Sequence, residues 1–220
     1  MNQATGDAPC VTALDDGGIL FADITHDPEF VDFDIWLVRL AGDGDVVWQR
    51  RLGGPAGERP IGILETRDGG ILVAAVTESF SSFTDLWLVK LDSEANILWQ
   101  FAVGGDHYEV SVSGTSLVED DGHLYYAVTS TMSFRAGGYD VWVVCLDEDG
   151  TVQWQSVLGS DTDEYIHGVL GDWGITMAGL TGAFSTEGYQ SSWVLRMTPH
   201  GSVTWQNGFS AGMSDLATGI

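Results

Sequence analysis

Apolar residues along this chain come in short runs separated by Gly- and Asp-rich turns, and the second quarter shows the pattern best. Leu86-Trp87-Leu88-Val89-Lys90-Leu91 is apolar on both faces except at Lys90. That pattern suits a strand sandwiched between two layers. With a period of two, Trp87, Val89 and Leu91 share one face, and Leu86, Leu88 and Lys90 share the other. The runs predict four strands, at 61–66, 70–76, 85–91 and 96–103. Gly42-Asp43-Gly44-Asp45, Asp147-Glu148-Asp149-Gly150 and Pro199-His200-Gly201 lie between Trp-bearing strands and supply the residues that positive-φ hairpin positions require. No stretch combines helical periodicity with capping residues.

The pattern repeats. Trp-Gln pairs stand at Trp48-Gln49, Trp99-Gln100, Trp154-Gln155 and Trp205-Gln206, each twelve residues after another tryptophan (Trp36, Trp87, Trp142, Trp193). Both ladders step by 51, 55 and 51, and together they use eight of the nine tryptophans, leaving only Trp173. An Asp-Gly-Gly-type turn precedes each pair, at Asp16-Gly17-Gly18, Asp68-Gly69-Gly70, Asp121-Gly122-His123 and the altered Asp172-Trp173-Gly174. The chain thus reads as one domain, 1–220, built of repeats at about 11–63, 64–115, 116–169 and 170–220. One four-stranded unit leaves apolar area on both faces and needs neighbours. Radial closure supplies them, so the expected fold is all-β: a β-propeller of four-stranded antiparallel blades, either four-bladed or part of a larger ring. Thr218-Gly219-Ile220 aligns with Ile61-Gly62-Ile63 and with Pro9-Cys10-Val11, so both ends carry the same strand of a unit. In a closed four-blade ring the two would compete for one place; a longer array or a second copy would relieve the competition.

The sequence from Asp68 to Gly105, with Asp-Gly-Gly-Ile-Leu-Val-Ala, Asp-Leu-Trp-Leu-Val-Lys-Leu-Asp, Asn-Ile-Leu-Trp-Gln and Gly-Gly, resembles bacterial and archaeal β-propeller repeats of secreted and cell-surface proteins. The resemblance runs from about Ala13 to Ile220 and implies an exported or cell-surface protein. Leu146 to Gln155 is also similar to the tryptophan-docking repeat of quinoproteins that bind pyrroloquinoline quinone. Those enzymes are larger and use a calcium site and a catalytic aspartate that match no position here, so this cofactor is not expected.

Charge changes the picture of partners. There are 32 acidic and 8 basic residues, a formal net charge of −24, and Lys90 is the single lysine. Such a surface repels nucleic-acid backbones and anionic headgroups. It resembles the surfaces of proteins from extreme halophiles; a surface that binds calcium or a cationic partner is the functional alternative. No apolar run is long enough to insert into a membrane. The first ten residues lack the basic and apolar regions of an export signal. Cys10 and Cys145 lie in different repeats and read as small buried hydrophobes.

Several repeated positions carry candidate chemistry. Asp34, Asp85, Asp140 and Ser191 occupy one position, two residues before the first tryptophan; they would form a cation-binding ring or cap their own strands. The four glutamines would line a groove, or pair with backbone or one another between blades. The tryptophans would stack on a ligand or wedge the core. Arg39, Lys90 and Arg196 share a position that Cys145 fills in the third unit, and they are expected to pair with local carboxylates. Phe30, Phe80, Phe134 and Phe184 lie in the variable segments between second and third strands, as a binding face if exposed and as caps if tucked in. The histidines make no metal-ligand spacing, and no nucleophile elbow, phosphate loop or dinucleotide fingerprint occurs. With no catalytic set left over, the sequence points to a non-enzymatic binding or assembly module acting through loops on one face. A fragment of a quinoprotein-like enzyme and a structural repeat of a surface layer, fibre or viral appendage are the alternatives.

Overall fold

A computed structural model describes residues 9–25, 33–110, 117–134, 138–184 and 190–209. Phe30 and the terminal Thr218-Gly219-Ile220 segment lie outside these residues. Contacts divide the chain into two compact units, Met1–Val103 and Gly104–Ile220. Every regular element among the described residues is a strand.

The first unit holds two sheets. In blade 1, β1 (Cys10–Ala13), β2 (Ile19–Ile24), β3 (Ile35–Leu40) and β4 (Val46–Leu52) pair in chain order, all antiparallel. In blade 2, β5 (Glu58–Glu65), β6 (Ile71–Thr77), β7 (Asp85–Leu91) and β8 (Ile97–Val103) do the same. In the second unit, blade 3 contains β9 (Glu109–Val110), β10 (Leu117–Glu119), β11 (Tyr125–Thr131), β12 (Asp140–Leu146) and β13 (Val152–Leu158). Its first strand comes in two pieces, since β9 and β10 both pair with β11. Blade 4 is β14 (Glu164–Asp172), β15 (Gly174–Thr181), β16 (Ser191–Met197) and β17 (Val203–Phe209). This is the all-β, β-propeller type of fold, with four up-and-down four-stranded antiparallel blades. The blades begin at β1, β5, β9 and β14, so repeat boundaries placed at 63 and 169 cut through first strands; the natural breaks are the glycine-containing crossings after Leu52, Val103 and Leu158.

The blades stack as the two-sided pattern of the third strands requires. In the first unit, Leu20, Ala22, Ile35 and Leu37 of blade 1 pack against Ile71, Val73, Trp87, Val89 and Leu91 of blade 2. In the second, Tyr126, Val128, Val141 and Val143 of blade 3 pack against Ile175, Met177, Trp193 and Leu195 of blade 4. Each large side chain so buried contributes about 1.5–3 kcal/mol. In both units the forward face of one blade meets the Trp-bearing face of the next. Cys145 lies within the second core and Cys10 packs against the first, and both are free thiols. Burial and the nearby Asp120 push the Cys145 thiol up to about 12.

The second tryptophan of the repeat ties neighbouring blades at their hairpins. Trp48 Nε1 donates to the Ser93 carbonyl at 3.1 Å, and Trp154 Nε1 donates to the Pro199 carbonyl at 2.7 Å. Each acceptor sits in the hairpin between the third and fourth strands of the following blade. All four of these hairpins share a positive-φ residue: Gly44, Ala95, Gly150 and Gly201. A register shift stands beside each, as in a turn closed by a glycine-type bulge. The hairpin between first and second strands in blade 3 is offset by one residue from the Asp-Gly-Gly alignment. His123 N donates to the Asp120 carbonyl as Gly69 N does to Thr66, so His123, with φ 62°, takes the glycine place. Asp120 therefore starts this turn, and its carboxylate accepts from the Gly122 and Leu124 amides.

Candidate binding surface

The segments between second and third strands begin in the same way in blades 2, 3 and 4. Each second strand ends in a buried threonine: Thr77, Thr131 or Thr181. Its hydroxyl accepts from the amide two residues on, at 3.0 Å in every case. The same hydroxyl donates to a buried glutamate that opens the blade's first strand: Thr77 to Glu58 at 2.7 Å, Thr131 to Glu109 at 3.1 Å, and Thr181 to Glu164 at 2.8 Å. Ser79 also donates to Glu58, and Ser160 and Thr162 donate to Glu164. The Gly54 and Ser160 amides, each at 2.8 Å, bind the second carboxylate oxygen of their glutamate. A carboxylate holding several donors is well satisfied in the interior. It anchors the loop at a defined height above the sheet.

Three residues past each threonine comes a phenylalanine. The Phe80 and Phe134 ring centroids lie 6.1 and 5.2 Å from those of Trp87 and Trp142. Phe184 lies over the fourth strand of its blade, so close that a Cβ on Gly208 would fall 2.3 Å from the Phe184 ring. Gly208 is the register partner of Trp193. Each ring rests on its own blade with one face and presents the rest outward, leaving Phe80, Phe134 and Phe184 exposed by 57%, 43% and 44%. Exposed surface and contact with the blade thus occur together.

The tryptophan beneath each loop is fixed by the repeated glutamine. Trp36, Trp87, Trp142 and Trp193 donate Nε1 to the side-chain oxygens of Gln49, Gln100, Gln155 and Gln206 at 3.1–3.2 Å. These glutamines do not bond one another between blades. The register makes them diagonal neighbours of the tryptophan on the same face: Gln100 stands opposite Val89, two residues along from Trp87. The glutamines are exposed.

The aspartate set is arranged differently. Asp34, Asp85, Asp140 and Ser191 are all buried beside the third strand of their own blades. Asp34 pairs with Arg51 of its own fourth strand. Asp34 and Asp140 press on Gly53 and Gly159, where a Cβ would lie under 2 Å from the carboxylate. Among the described residues, no three His, Cys, Asp or Glu are gathered to hold a metal ion. The basic position pairs locally: Arg39 with Asp16 at 2.6 Å, Lys90 with Asp68 at 2.7 Å, and Arg196 with Asp172 at 2.7 Å. In blade 3, where Cys145 replaces the cation, the Tyr126 hydroxyl donates to Asp120 at 2.8 Å. Burial and that carboxylate push the Tyr126 phenol up.

Sequence reasoning missed the buried glutamates. Glu58, Glu109 and Glu164 step by 51 and 55, the spacing of the tryptophan ladders, so the signal lay in the repeat itself.

No protein-family model matches the chain, and no curated protein matches it. Among solved structures, it is similar to levansucrase of B. megaterium (12% identity, 93% of this chain and 71% of that one, TM-score 0.48). It is also similar to endo-arabinase of Bacteroides thetaiotaomicron (11% identity, 94% and 75%, TM-score 0.47). Acylaminoacyl peptidase of Pyrococcus horikoshii is 12% identical over 92% of this chain, which spans about a third (31%) of the peptidase, with a TM-score of 0.48.

Proposed function

We propose that this chain is a non-enzymatic binding module whose contact surface is the set of loops between second and third strands. The carrying observation is the repeated device in blades 2, 3 and 4. A buried Glu–Thr pair fixes each loop, and an exposed phenylalanine rests on a tryptophan or on the strand beside it. Rigid, exposed aromatic rings held in place before binding give contact area at little entropic cost. The net charge of −24 selects the partner by sign: a protein segment carrying basic side chains beside apolar ones.

Peptide arrays of mixed basic and aromatic composition test this reading. The wild-type chain is expected to retain a subset of peptides, more weakly as salt rises. The F80S/F134S/F184S variant should bind the same peptides about tenfold or more weakly, as removal of aromatic anchors does elsewhere. Equal retention by wild type and variant would place the surface elsewhere.

A further inference from the structure

Trp173 is the one tryptophan outside the two ladders, and at 67% it is the most exposed of the nine. It forms the tip of the hairpin between β14 and β15. In blades 1, 2 and 3 five residues separate the first and second strands, at 14–18, 66–70 and 120–124. None of those turns carries a Trp, Tyr or Phe. In blade 4 Trp173 alone separates Asp172 from Gly174. Leu170, on the same hairpin, is 53% exposed.

The tip is held from several sides. Arg196 Nη2 donates to Asp172 Oδ1 at 2.7 Å and to the Trp173 carbonyl at 3.3 Å. The Asp121 amide donates to the Asp172 carbonyl at 2.8 Å, and the Gly174 amide donates to Asp120 Oδ2 at 3.2 Å. Gly174 has φ 105°, and a Cβ there would fall 2.2 Å from the Met197 carbonyl oxygen. A Cβ on Gly171 would fall 2.6 Å from the Glu119 carbonyl oxygen. The backbone on both sides of Trp173 is therefore fixed while the residue itself stays in solvent.

The surroundings are anionic. The blade 4 tip rests on the 120–124 turn of blade 3, and His123 of that turn reaches Glu148 of the next blade 3 hairpin at 3.4 Å. Segments 119–121 and 147–149 and Asp172 supply seven carboxylates at this end of the second unit, against the single arginine Arg196. An indole beside carboxylates suits a planar, weakly hydrated cation, which stacks on the ring and donates to the acids. We infer that Trp173 anchors an arginine side chain of a protein partner. A large aromatic residue fixed before contact is the usual centre of such an interface. Trp173 and Phe184 flank opposite ends of the eight-residue β15, roughly 25 Å apart, so this contact is separate from the phenylalanine loops.

Titration of the full chain with the probe acetyl-Arg-Arg-Arg-amide at about 0.15 M salt tests the inference. The readout is the set of indole N–H signals in a proton–nitrogen correlation spectrum, with the Trp173 signal identified by its loss in Trp173→Leu. That signal should move and saturate, and the movement should shrink in molar salt. Trp173→Leu should weaken binding about threefold or more with unchanged circular dichroism, and Trp173→Tyr, which keeps a ring, should restore most of it. The F80S/F134S/F184S variant should respond as wild type does, so failure here and failure of the phenylalanine surface are distinguishable. A stationary Trp173 signal, equal binding by Trp173→Leu, or an equal response to neutral cellohexaose would overturn the inference; the signal is read on the wild-type chain, so the test survives a variant that misfolds.

Discussion

Lys90 is the chain's single lysine, and its side chain is 1% exposed. Its ammonium donates to the Thr66 hydroxyl and to Asp68 Oδ1. Burial pushes the Asp68 carboxyl up, but hydrogen bonds from Lys90, Thr66 and the Gly70 amide outweigh it and hold the group at about 2. The folded-state pKa lies below the unfolded value, so this carboxylate contributes stability above about pH 4, lost as pH falls towards 2. Asp68→Asn should flatten that part of a stability-versus-pH curve measured by urea unfolding. At neutral pH it should cost about 2 kcal/mol, since it removes the carboxylate paired with a buried cation, at a half-exposed site that water partly screens. Pairing of the basic position with a carboxylate was readable from the scarcity of cations and the repeat alignment. The Tyr126–Asp120 substitute in blade 3 was not, because two changes separated by many residues compensate each other only in space.

At the scale of a strand or loop, the Glu–Thr latch sets the geometry of the proposed surface. Glu164→Gln keeps the size but removes the charge that four oxygen and nitrogen donors share, and should lower stability by about 2 kcal/mol in a denaturant titration. Gly179 gives a control of a different kind. A Cβ there would fall 1.8 Å from the Tyr165 carbonyl oxygen, beside the register shift between Ile166 and Gly168. Gly179→Ala should cost about 3 kcal/mol by the same assay, since backbone on the neighbouring strand must move. The strands themselves were legible: the expected 85–91 matches β7, and the expected 96–103 differs from β8 by one residue. Their two-sided apolar pattern leaves little choice of structure. The glutamates were hidden by abundance: among 32 acidic residues three buried ones stand out only when the ladder spacing is applied to them. The partner of each repeated glutamine depended on diagonal register, which periodicity alone does not supply.

For the whole molecule, the net charge of −24 dominates. Self-repulsion acts only within a Debye length, about 30 Å at low salt and about 3 Å at molar salt. The melting temperature should therefore rise between low and molar KCl, and an unchanged melt would show that the acidic surface carries little strain. The repeat made the number of four-stranded units in this chain plain from the sequence.

The claim at the centre of this account is that the tryptophans and glutamines build the blades while the phenylalanines serve binding. It is tested most directly by measuring thermal melting and peptide binding on the same samples of wild type, F80S/F134S/F184S and Gln100→Leu. The phenylalanine variant should lose binding and keep its melting temperature within a few degrees, since its rings are about half exposed. Gln100→Leu should keep binding and lose about 1 kcal/mol, because it strands the Trp87 indole N–H. A phenylalanine variant that melts many degrees lower and still binds would contradict the account, and would make those rings caps of the blades.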